Sequence, residues 1–142
     1  MRPCGILAFG RLNYGYLFTM NIAVSNGDLL DRLSILEIKI QRVTEPQKIE
    51  NIRRYYGQLL QVADPIKSAA GALYEDLHRI NGLLWDMENS IRELESRQQF
   101  DNEFITAARS VYKYNDERAR IKQQIDILTG SAIREEKSYS EY

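Results

Sequence analysis

Three polar side chains, Asn115, Arg118 and Lys122, fall where a helix should present its apolar face. In "ARSVYKYNDERARIK", residues 108–122, Val111 can be set at zero and the wheel advanced about 100° per residue. Phe104, Asn115, Arg118 and Lys122 then all lie within about 40° of it. Two readings fit. Tyr114, Ile121, Ile125 and Leu128 can carry the apolar stripe to one side, leaving long polar side chains at its edge with their heads in water. Alternatively the three polar groups line a site, where two cations and an amide would hold a phosphate or carboxylate.

A second polar row favours the site. Tyr74, Asn81, Trp85, Glu88 and Arg92 share one stripe of the preceding helix, beside its apolar seam. Glu88 and Arg92 have the i,i+4 spacing of a helix-surface ion pair. Trp85 among such neighbours is either a core edge or the wall of a pocket. If the two helices form an antiparallel hairpin, residues near 85–92 lie opposite residues near 108–118. Trp85, Glu88, Arg92, Asn115 and Arg118 then converge, with Glu88 the expected partner of Arg118 and Lys122 nearby. Arg32 and Lys39, seven residues apart on the first helix, flank its apolar stripe and supply a third wall. The eight form the candidate ligand-binding set, suited to a small anion.

Other chemistry finds little support. Glu75 and His78 have the spacing used in di-iron bundles, but such sites need a second Glu/His pair, and His78 is the only histidine. With one cysteine, Cys4, the chain forms no internal disulfide, and neither a Cys/His zinc site nor another metal centre is expected. No phosphate loop, dinucleotide-binding glycine pattern or Cys/His nucleophile pair is present, so no cofactor is expected and no catalytic residue can be assigned. A net charge of −1 gives no basic field for nucleic acid. No apolar run reaches the ~20 residues of a membrane span. The expected setting is a reducing cytoplasm.

The elements that must position these residues are helices. Ser25 caps the first, with Asp28 three residues on, and Leu29, Leu33, Leu36, Ile40 and Val43 form its buried face. Thr44 is expected to cap the second helix, with Gln47 reaching back and Pro46 in the first turn. "DP" at 64–65 should end that helix and open a third, capped by Asp64. Nine residues from Ile66 through Leu84 to Leu94 alternate by four and three, a seam implying a helix roughly 50 Å long. Gly71 and Gly82 lie off the seam, where they permit a close neighbour. Asp101 caps the fourth helix, Phe100 staples onto Ile105, and Gly130 ends it.

The expected fold is all-α: an antiparallel hairpin of two long helices closed by two shorter N-terminal helices, resembling a four-helix bundle. Residues 1–19, rich in glycine and aromatics and without helical period, form a leader outside the fold, with Met20 as an alternative start. Residues 20–142 form one domain. The tail from Gly130 either frays or folds back through Tyr139, with charge pairing secondary.

The stretches "LLDRLSILEIKIQRV", "LLWDMENSIRELE", "FDNEFITAARSVYKYNDERARIKQQI" and "GSAIREEKSY" together resemble a small bacterial family of unknown function, from about Ile22 to Tyr139. The third is the most specific. The resemblance implies a gene often placed beside glycosyltransferases of surface-polysaccharide assembly, which points to a pathway and not a reaction. The resemblance implies that Asp31, Glu37, Arg109, Tyr112, Glu135 and Lys137 belong to the family pattern, as do most of the candidate site residues. Asn89 departs from it, standing where the family has a second acid, which weakens any paired-carboxylate mechanism beside Glu88.

Two functions are therefore expected. The first is a non-enzymatic accessory or interaction protein of surface-polysaccharide assembly, with a protein partner or a second copy along the long helix. The second is a helical-bundle site for a small anionic ligand, binding only or enzymatic. Converging buried cations would favour the second, and a solvent-facing apolar strip on the third helix the first.

Overall fold

A computed structural model describes residues 21–138 and residue 140. The expected leader, residues 1–19, and the expected anchor Tyr139 lie outside the described residues. Four helices follow in order: α1 (Asn26–Arg42), α2 (Pro46–Ala70), α3 (Ala72–Ser96) and α4 (Asn102–Leu128). No strand occurs among the described residues, and the fold is an all-α, bundle-like one.

The α3–α4 hairpin is the most extensive pairing, and α1 packs against each of the other three helices. The core lies where they meet: Leu30 and Leu33 of α1, Ala63 and Ala70 of α2, Leu77 and Ile80 of α3, and Ile121 and Ile125 of α4. α2 leans mainly on α1 and buries only Ala63 and Ala70. Leu84 is buried at the edge of this core. Leu84→Ala is expected to cost about 2–5 kcal/mol, read as a lowered denaturation midpoint; an unchanged midpoint would remove Leu84 from the seam.

Most helix ends follow local chemistry. Ser25 Oγ accepts from the Asp28 backbone N–H, and Asp101 accepts from those of Glu103 and Phe104. α4 closes with a Schellman motif: Ser131 N–H donates to Asp126 O and Gly130 N–H to Ile127 O, with Gly130 at φ +65°. Phe100 packs edge-on against Phe104, at 5.3 Å between centroids, where Ile105 was the expected contact.

Two boundaries differ from expectation. Glu45, and not Thr44, is the N-cap of α2, and no side chain caps it. A residue before proline is pushed out of the α region, so Glu45 stays extended ahead of Pro46. The larger shift is at the α2–α3 junction. Pro65 sits inside α2, which runs on to Ala70, so Asp64 caps nothing. The break is at Gly71, whose φ of +53° and ψ of −123° suit glycine alone. α3 is accordingly 25 residues, about 37 Å, and α2 matches it in length.

Candidate functional site

The start of α1 is keyed into the end of α4. The Gly27 N–H donates to the buried Asp126 carboxylate at 2.6 Å, the Asn26 N–H to Ser131 Oγ at 3.1 Å, and the Asn26 amide to Thr129 Oγ1 at 2.9 Å. A free turn of N–H groups needs acceptors, and here α4 and the turn that follows it supply them. This contact fixes which residues of α1 face the hairpin.

Asp31 and Ser34 are two of them, both buried. The Asn81 amide of α3 donates to Asp31 Oδ1 at 2.8 Å and to Ser34 Oγ at 2.7 Å, while Ser34 Oγ donates to Asp31 O at 2.9 Å. The Arg118 guanidinium of α4 approaches this network, with Nε 3.9 Å from Asp31 Oδ1. That distance is an ion pair but not a hydrogen bond. Arg118 Nε is buried and meets no hydrogen-bond acceptor among the described residues.

Above this floor opens a cleft of about 430 Å³ between α1, α3 and α4. Ile35, Leu84 and Trp85 form its apolar side; Lys39, Arg92 and Arg118 bring three cations; Asn81, Asn89, Asn115 and Glu88 complete it. Six of the eight candidate residues thus share one cavity: Lys39, Trp85, Glu88, Arg92, Asn115 and Arg118. Arg32 and Lys122 stand outside it. Arg32 turns toward α2 and donates to Tyr55 Oη at 3.3 Å, so of the two α1 cations only Lys39 reaches the cleft, beside Ile35 of the same helix. Lys122, one turn beyond Arg118, is buried and binds Asp28 at 2.5 Å and Glu135 at 3.0 Å. Burial alone would lower its pKa, but those two carboxylates more than offset this and hold it above the usual lysine value. The tail is therefore tied down at Glu135 by charge.

The expected Arg118–Glu88 pair is not formed. Glu88 instead accepts from Arg92 at 2.8 Å on its own helix, and Asp31 is the carboxylate beside Arg118. The Glu88–Arg92 pair closes within one exposed helix face, whereas α1 brings Asp31 against α4. Among the described residues Lys39 has no ion pair. Trp85 is the only tryptophan of the chain, and Arg42, which pairs with Asp86, lies 6.0 Å from its ring centroid.

A second polar cluster lies on the opposite flank of α1. Glu37 accepts from Lys67 at 2.9 Å and from Tyr56 at 3.0 Å, and His78 Nε2 stands 3.8 Å away. Burial pushes the Glu37 carboxyl up, but Lys67 and the neighbouring tyrosine hydroxyls outweigh it and hold its pKa below the ordinary 4.5. A carboxyl depressed on folding contributes stability above its unfolded pKa and loses it as pH falls through the folded value. Thermal stability should therefore drop below about pH 4.5, and Glu37→Gln should flatten that drop; an identical acid limb in the variant would assign it to other carboxylates.

Among the described residues no group of His, Cys, Asp and Glu is arranged to hold a metal ion, and no helix is long and apolar enough to cross a membrane. A family model described as "Family of unknown function (DUF6165)" matches residues 20–142. No curated protein and no solved structure matches the chain.

Proposed function

The chain belongs to the DUF6165 family, and we propose that it binds a small anionic molecule in the cleft between α1, α3 and α4. One observation carries this: the half-buried Arg118 guanidinium makes no hydrogen bond among the described residues and is backed only by Asp31 at 3.9 Å, and Lys39 of the same cleft has no ion pair among them. A phosphate or carboxylate entering the cleft would give the accessible guanidinium nitrogens and the Lys39 ammonium charge-assisted hydrogen bonds that they otherwise lack. The volume lies in the range of small-molecule sites, and Trp85 offers an apolar wall against which the rest of the ligand can pack.

The competing expectation, a protein partner along the apolar seam of α3, has less support over the first part of that seam, because Leu77, Ile80 and Leu84 are consumed by the core; only its far end, around Met87, is left open. Among the described residues the cleft holds no serine, threonine or cysteine and a single carboxylate, Glu88, so binding without catalysis is the simpler reading. The resemblance to proteins encoded beside glycosyltransferases supports an accessory role in bacterial surface-polysaccharide assembly, on the cytoplasmic side. Native mass spectrometry of the purified protein tests the proposal. A small anion should stay with the wild-type chain and be absent from Arg118→Met of unchanged fold. Equal retention by both would overturn it.

A further inference from the structure

The far half of the α3–α4 hairpin is thinly covered. Between Leu84 and Leu94 on α3, and between Ala107 and Ile121 on α4, no side chain is buried. On the hairpin face away from α1 runs a groove of about 410 Å³, walled by Met87, Leu94 and Ala107 and reaching Glu103 near the hairpin tip. Its hydroxyls are already used: Ser90, Thr106 and Ser110 donate to carbonyls of their own helices at 2.7–3.0 Å. The groove therefore presents small, largely apolar surfaces with a carboxylate at one end.

The spacing along α4 shows what fits it. Glu103, Thr106, Ser110 and Lys113 follow one another by three, four and three, the period of a helix-pairing seam. They are also symmetric about Ala108: Glu103 and Lys113 lie about five residues to either side, Thr106 and Ser110 about two. Two such helices running antiparallel about a two-fold axis between Thr106 and Ser110, at the level of Ala108, bring Glu103 of each against Lys113 of the other, and Thr106 against Ser110. Small residues at the centre let the axes approach to about 8 Å. Lys113 is exposed and has no ion pair or hydrogen bond among the described residues, and Glu103 meets only the Gln99 amide, at 3.3 Å. A lysine stem laid against the apolar wall of the groove beside Glu103 would end at that carboxylate.

We infer that this face binds a second copy of the chain, α4 against α4 in antiparallel register, with reciprocal Glu103–Lys113 pairs. The cleft around Trp85 lies on the other face of the hairpin, so the two inferences stand independently. Sedimentation velocity of the full chain over a range of concentrations and salt tests it. The expected result is a concentration-dependent dimer that weakens as salt rises. Glu103→Lys and Lys113→Glu should each raise the dissociation constant at least about tenfold, because like charges then meet twice across the axis. The double variant E103K/K113E exchanges the signs in both copies and should restore the dimer. Thr106→Arg, at an exposed position, should abolish it by bulk while leaving the helical spectrum intact, and it serves if Glu103→Lys loosens the first turn of α4. A monomer at every concentration overturns the inference. So does a dimer indifferent to these substitutions, or single-variant defects that the double variant does not rescue.

Discussion

Gly27→Ala is expected to destabilise the protein by about 3 kcal/mol, although alanine is the better helix former. A Cβ at Gly27 would stand 2.5 Å from the Lys122 carbonyl oxygen, 3.0 Å from its carbon and 3.1 Å from Asp126 Oδ1. Two of these atoms are backbone, so no rotamer change relieves the clash; α1 and α4 must move apart. That movement stretches the Gly27–Asp126 hydrogen bond and leaves a buried carboxylate short of a donor. The gain in helix propensity, under about 1 kcal/mol, does not compensate. Gly57 is the control, since nothing lies within 4 Å of an added Cβ there, and Gly57→Ala in the exposed middle of α2 should stabilise by about 0.5–1 kcal/mol. Urea denaturation reads both. A Gly27→Ala midpoint equal to wild type would mean that α1 does not depend on this contact.

Arg118→Met should lower affinity for the cleft's anion about a hundredfold and lower stability by a smaller amount, because buried Asp31 loses the cation beside it but keeps its bond from Asn81. The guanidinium makes no hydrogen bond through Nε, and its nearest carboxylate oxygen, on Asp31, is 3.9 Å away and already accepts from Asn81. Removing it therefore strands no hydrogen bond of the folded protein, and methionine keeps most of the buried stem. In a complex the same group would make a charge-assisted bond, whose loss costs about 2–3 kcal/mol. Equilibrium dialysis against the co-purifying anion, with thermal melts alongside, separates the two roles. A large fall in melting temperature with affinity unchanged would make Arg118 a structural group.

The helices were legible because their signals are local. Ser25, Asp101 and Gly130 mark ends through bonds made within a few residues, and the apolar spacings mark faces in part: α1 buries Leu33 and Leu36 as expected, but Leu30 and Ile38 in place of Leu29, Ile40 and Val43. The α2–α3 junction was not, because Ile66, Ala70, Leu73 and Leu77 keep their spacing across a backbone turn made by Gly71 alone. A side-chain period carries no information about φ. The convergence of Trp85, Glu88, Arg92, Asn115 and Arg118 followed from hairpin register, which a short connection sets. The pairing of Arg118 with Asp31 required the rotation of α1 about its own axis, and that is fixed by Gly27 and Asp126, 99 residues apart. Gly27 looks in the sequence like an ordinary residue behind an N-cap, so neither its close approach to α4 nor the Asp31–Asn81–Ser34 network had a local signature.

Trp85 is the only tryptophan in the chain and lines the cleft, so its fluorescence reports directly on whether the cleft takes up an anion. Titration with inorganic phosphate, sulfate and citrate should give, for at least one of them, a saturable change in emission. That change should weaken about a hundredfold in Arg118→Met and be absent with neutral glycerol. No saturable change with any of the three up to about 10 mM, where binding energy falls below about 3 kcal/mol, would contradict an anion-binding cleft.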